Sequence, residues 1–107
     1  MSATLQRVRE HVGTGVVLIS SHGYDELAED NILAADALAG VGAADVVEDY
    51  PTYGKGPCVL TLQRDSAGAP VHVVWGIPVG KTEPAVPITA YRPDPKLWEN
   101  GYRTRRP

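Results

Sequence analysis

CVLTLQRDSAGAPVHVVWGI, residues 58–77, alternates in polarity on both sides of a short polar turn. Cys58, Leu60 and Leu62 alternate with Val59, Thr61 and Gln63; beyond Asp65–Pro70, Val71, Val73, Trp75 and Ile77 alternate with His72, Val74 and Gly76. A period of two marks a strand, because successive side chains of a strand point to opposite faces. Two such runs joined by a short turn predict an antiparallel hairpin.

The same period extends outward. Val46, Glu48 and Tyr50 oppose Val47 and Asp49 before Pro51 closes a preceding strand. Gly76–Pro87 holds three prolines with Lys81 and Glu83, which predicts an irregular exposed connection. Val86, Ile88 and Ala90 oppose Thr89 and Tyr91 in a last strand. A short helix is expected over Asp94–Trp98, with Trp98 a lid anchored on the core and ENGYRTRRP a loose tail.

The N-terminal half reads at helical spacing. Leu5, Val8 and Val12 predict a first helix over Ala3–His11, ended by Gly13 and Gly15. Ser20 and Ser21 are N-cap candidates for a second helix with Tyr24, Leu27 and Ala28 as its buried stripe. Asn31 is expected in the left-handed conformation, closing that helix so that Ile32 packs back on Leu27. LAADALA, residues 33–39, predicts a third helix ended by Gly40 or Gly42.

Helices followed by strands with short turns make an α+β domain: two or three short N-terminal helices on one face of a roughly four-stranded antiparallel sheet. Apolar content assigns Cys58, Leu60, Leu62, Val71, Val73, Trp75, Ile88 and Ala90 to the covered face. Thr61, Gln63, His72, Thr89 and Tyr91 then fall on the open one.

A chain of 107 residues, 43% hydrophobic, is expected to form a single domain over residues 1–107. Residues 1–12 are a peripheral helix in that reading and residues 99–107 a basic tail. The single cysteine, Cys58, excludes an intramolecular disulfide and reads as a small buried hydrophobe. No signal peptide and no membrane-spanning run is expected, and the location expected is cytoplasmic. No cofactor is expected, and no metal, because the histidines and carboxylates show no ligand spacing. Net charge is −3, but residues 1–50 carry two basic against nine acidic side chains and residues 51–107 eight against four. Such a dipole steers anions to one side, and solvated faces without a partner give the same count.

Three groups are candidates for chemistry. His72, Tyr91, Thr89 and Gln63 converge on one sheet face if strand parity holds, with His72 as a base and Tyr91 stacking on a nucleobase or donating a proton. Surface residues of a two-layer domain would look the same. His22, beside Ser20 and Ser21 at a helix start, reads as a neutral imidazole able to act as a base, or as part of an ordinary cap. Arg92, Arg103, Arg105 and Arg106, near Tyr91, Trp98 and Tyr102, form the basic and aromatic mixture that binds single-stranded nucleic acid, or a solubilising tail.

These residues carry a family resemblance. ISSHGYDELAEDNI, VVEDYP, PVHVVWGI and ITAYRPDPKLW with the arginines after it resemble the domain-of-unknown-function 4258 family across residues 18–106. That family is likened to the RelE and BrnT toxins, so the resemblance implies a RelE/barnase-like fold, messenger RNA cleavage, and His22, His72, Thr89, Tyr91 and Arg92 as the positions to suspect. It also implies single-stranded RNA or an antitoxin-like protein as partner. Two features depart from it. Asp30 stands where the family pattern has Arg, placing a repelling charge where a phosphate-attracting one is expected. A pI near 5.5 is low for a protein that must approach a polyanion. Two readings follow: a metal-independent ribonuclease of toxin ancestry, and a non-catalytic protein- or nucleic-acid-binding domain descended from one.

Overall fold

Ser2 accepts the Leu5 N–H through its side-chain oxygen, and this cap starts α1 (Ala3–Gly13) in the computed structural model, which describes residues 2–107. Two more helices follow, α2 (Ser21–Glu29) and α3 (Ala34–Gly40), and then a single 3-10 turn over Val41–Ala43. The strands are β1 (Asp45–Tyr50), β2 (Cys58–Arg64), β3 (Pro70–Gly76) and β4 (Val86–Tyr91), with two short strands β5 (Trp98–Glu99) and β6 (Thr104–Arg105) after them. The first four form one antiparallel sheet in the order β1-β2-β3-β4, and the three helices pack on one face of it. This is the expected α+β architecture.

Helix ends are set by local chemistry. Ser20 caps α2 by accepting the Gly23 N–H, and Asn31, at φ 56, ends it. The Ile32 N–H reaches the Leu27 carbonyl and the Asn31 N–H the Ala28 carbonyl, the paired bonds of a Schellman stop. The buried face of α2 is Gly23 and Leu27, while Tyr24 and Ala28, expected in the stripe, are exposed. The reason is close approach: a Cβ on Gly23 would stand 3.2 Å from the Pro87 carbonyl of β4, so glycine, and not the bulkier Tyr24, faces the sheet.

Nor is α1 peripheral. Leu5 and Val8 lie in the central cluster with Leu27, Ile32, Val59, Val73 and Trp75, and the Arg9 guanidinium donates to the carbonyls of Val41 and Ala44.

Strand register overturns the expected parity of β2. Val59 lies opposite Trp75, Thr61 opposite Val73 and Gln63 opposite Val71, and directly opposed residues share a face. Val59, Thr61 and Gln63 therefore face the helices, and Cys58, Leu60 and Leu62 face away. Apolar content misleads here because β2 is covered on both sides, and because the polar side chains of Thr61 and Gln63 are satisfied within the core. Ile88 also changes face. A bulge opposite Val74 and Trp75 leaves it unpaired, and its Cδ1 lies 2.6 Å from where a Gly76 Cβ would be, on the Cys58 side, with 43% of Ile88 exposed.

The C-terminal segment is neither a final helix nor a loose tail. Leu97 and Trp98 N–H groups close a turn on the Asp94 carbonyl, and β5 then pairs with β6, Trp98 opposite Arg105 and Glu99 opposite Thr104. Asn100, Gly101 and Tyr102 make the reversal, all three at positive φ (53, 65 and 69). The hairpin lies across the helix-free face of the sheet.

Candidate functional site

The helix-free face is built by alternate residues of four strands. β1 contributes Glu48 and Tyr50, β2 Cys58, Leu60 and Leu62, β3 His72, Val74 and Gly76, and β4 Thr89 and Tyr91, with the bulged Ile88 beside them. Register sets Tyr91 directly opposite His72 and Thr89 opposite Val74, so these three predicted site residues share one face. Gln63, predicted with them, is on the other.

Half of this face is covered. The β5–β6 hairpin sits over the Leu62–His72 end, and His72 is 0% exposed. Its ring lies edge-on to Trp98, centroids 4.5 Å apart, and 5.2 Å from the Tyr91 ring. Nε2 is 2.8 Å from the Tyr102 carbonyl and Nδ1 is 3.1 Å from the Tyr91 hydroxyl. A carbonyl only accepts, so the proton sits on Nε2 and Nδ1 accepts from the Tyr91 O–H. Burial holds the His72 pKa below the ordinary histidine value; the Tyr102 carbonyl opposes this, Arg105 reinforces it and Glu48 opposes it. Burial likewise raises the Tyr91 phenol above its usual value. The pair is thus a neutral imidazole and a neutral phenol, each turned toward the other.

The four predicted arginines are each engaged with carboxylates. Arg92 pairs with Asp65 at 2.9 Å and donates through Nε to the Asp30 carbonyl, while its own N–H goes to Asp30 Oδ2. Asp30 thereby clips the end of α2 to the end of β4. Arg103 pairs with Asp45, and Arg106 with Glu99. Arg105 holds Glu48 through two nitrogens, at 2.7 and 3.0 Å, and lies 4.7 Å above the Trp98 ring. His22 is on the helix side of the sheet, its side chain 73% exposed and 3.1 Å from Glu26 one turn on. It does not join His72.

Beyond the hairpin the face is open. A cavity of about 280 Å³ has Leu60, Val74 and Cys58 as floor and Tyr50, Tyr53, Tyr91 and the Glu48–Arg105 pair as walls. Tyr53 also edges a neighbouring cavity of about 340 Å³ whose lining includes Lys55, Gly76, Val86 and Ile88. Cys58 lines the first with its thiol pKa raised, chiefly by burial, so it is a poor nucleophile. Sequence reasoning missed Glu48, Tyr50, Tyr53, Leu60 and Val74 as site residues, because their convergence depends on register. The one local signal was the exposed aromatic pair Tyr50 and Tyr53 flanking Pro51.

Among the described residues no group of three or more His, Cys, Asp or Glu side chains is placed to hold a metal ion, and no helix is long and apolar enough to cross a membrane. No curated protein matches the chain, and no solved structure does, so the RelE- and barnase-like part of the fold expectation has no neighbour to support it. A family model does match, over residues 19–92, leaving α1 and the β5–β6 hairpin outside the matched span. The sheet, α2 and α3 described above are what that span contains, and the chain belongs to the family described as a domain of unknown function (DUF4258).

Proposed function

We propose that this protein is a single, non-catalytic binding domain that takes an extended protein segment on the open part of its helix-free sheet face. The observation that carries the reading is His72, fully buried with both ring nitrogens engaged. A ribonuclease of the toxin kind needs a base within reach of a ribose hydroxyl and cations free to hold the scissile phosphate. Here the candidate base is covered, and Arg92, Arg103, Arg105 and Arg106 are paired with Asp65, Asp45, Glu48 and Glu99. The open part of the face offers apolar floor, tyrosine walls and little unpaired charge, which suits side chains of a protein segment better than a polyanion.

Two measurements test this. Labelled single-stranded RNA incubated with the protein in chelator stays whole, and its binding is weak at physiological salt. A displayed random-peptide library panned on the protein yields binders whose retention is lost in Ile88→Glu and Tyr53→Ala. RNA cleavage that disappears in His72→Ala would return the protein to the nuclease reading. A library without binders sensitive to those two changes would remove the proposed face.

A further inference from the structure

The β5–β6 hairpin is attached to the body by few contacts. Its own ladder has two rungs, too few to hold two-residue strands without the sheet beneath. To that sheet it offers one buried side chain, Trp98, one part-buried hydrogen bond, from His72 Nε2 to the Tyr102 carbonyl, and two partly exposed ion pairs, Arg103 with Asp45 and Arg105 with Glu48. Tyr102 is also held at φ 69, a conformation unfavourable for a bulky residue, and its carbonyl is the one that meets His72. One hydrogen bond thus joins the strained residue to the buried histidine.

We propose that this hairpin is a releasable strap over the helix-free sheet face, closed while His72 is neutral and opened when His72 takes a proton. The groups facing the imidazole decide the direction. From β2 it meets Leu62 and from β5 Trp98, neither of which bears charge. From β4 it meets the Tyr91 hydroxyl, which donates to Nδ1; a proton on that nitrogen forces the hydroxyl to turn and accept. From β1 and β6 it meets Glu48 and Arg105, which are bound to each other and act on the imidazolium with opposite sign. Burial is therefore what an imidazolium has to escape, and lifting the strap is the way out. The Glu48 carboxyl is held below its usual range, mainly by the Arg105 hydrogen bonds, so the ion pair stays intact through the range in which His72 titrates. His72 has a lowered pKa in the closed state, so closure is fully favoured above the ordinary histidine value and weakens as pH falls through and below it. Opening bares Leu62, His72 and Tyr91 and extends the open groove to the Leu62–His72 end of the sheet, and only this last consequence rests on the binding function proposed above.

Proton–nitrogen NMR of the full chain between about pH 8 and about pH 5 tests the strap directly, without a partner. The Trp98 indole and the amides of residues 102–105 move along one titration shared with the His72 ring, with a midpoint below the ordinary histidine value, and the Trp98–His72 proton contacts vanish. Signals of Val59, Val73 and Leu27 stay in place. His72→Gln keeps a donor for the Tyr102 carbonyl and does not titrate, so its strap stays closed across the range. Should that variant not fold, Trp98→Ala serves instead: its strap is open at about pH 8 and His72 titrates at the ordinary histidine value. Trp98–His72 contacts that persist on the protonated ring, or that disappear only together with the core signals, overturn the proposal. A lowered His72 midpoint unchanged in Trp98→Ala overturns it as well.

Discussion

The indole N–H of Trp75 donates to Oε1 of Gln63 at 2.7 Å, inside the core between β3 and β2. Gln63 Nε2 donates in turn to the Ala37 carbonyl at 2.9 Å, which ties α3 to the sheet. The Thr61 hydroxyl, with one proton to give, stands 2.9 Å from the Val73 carbonyl and 3.0 Å from Gln63 Oε1. One glutamine thus satisfies polar groups from β2, β3 and α3, and among the described residues no buried side-chain nitrogen or oxygen lacks a partner.

Gln63→Leu leaves the Trp75 N–H and the Ala37 carbonyl buried without partners. Unmade buried hydrogen bonds carry about 1–3 kcal/mol each, so the variant is expected to lose about 3 kcal/mol. Urea denaturation followed by circular dichroism measures it; a loss below about 1 kcal/mol would contradict the network.

Asn31 holds φ 56 at the end of α2. Asn31→Ala is expected to destabilise by about 1 kcal/mol, since alanine enters the left-handed region at that penalty, while Asn31→Gly stays level or gains slightly. Thermal melts of the two variants side by side decide it. Equal melting temperatures would mean the left-handed turn is absent.

Glu48→Gln removes the charge that holds Arg105. Partly exposed ion pairs contribute at most about 1 kcal/mol, so overall stability changes little. The effect is local: amide hydrogen exchange of residues 98–105 accelerates several-fold, while exchange in β2 and β3 does not change. Uniform acceleration along the chain would place the ion pair outside the strap's attachment.

Acid sensitivity has a second source in Asp65. The Ala69 backbone N–H, with help from Arg92 and the Ala67 N–H, holds its carboxyl below the usual aspartate range. The folded chain binds fewer protons there than the unfolded one, so this contribution is complete above about pH 4 and is lost as pH falls through the lowered value. Denaturant midpoints measured down to about pH 3 are expected to fall less steeply in Asp65→Asn than in the wild type. Parallel curves would remove Asp65 as a source.

Much of the architecture was legible along the chain. The Asn31 stop, the Ser20 cap, the hairpin across Asp65–Pro70 and the β4 bounds all rest on chemistry within a few residues, and each is found where the pattern put it. The convergence of His72, Thr89 and Tyr91 was legible too, because alternation within β3 and β4 fixes which residues share a side. The face of β2 was not, since Cys58, Leu60 and Leu62 are buried like Val59 on the other side, and hydrophobicity cannot tell one buried side from another. The open cavity was missed for a related reason, its lining being drawn from β1, β2, β3, β4, β6 and the loop bearing Tyr53.

Sequence alone determined the three helices, the four strands of the main sheet, their order and the α+β class, because hydrophobic period, caps and turn residues act over one or two turns of chain. Tertiary structure alone decided that His72 is covered, that the arginines are spoken for and that the C-terminus is a docked hairpin. Those outcomes depend on strand register and on contacts such as His72 with Tyr102, 30 residues apart, where no local pattern records the pairing.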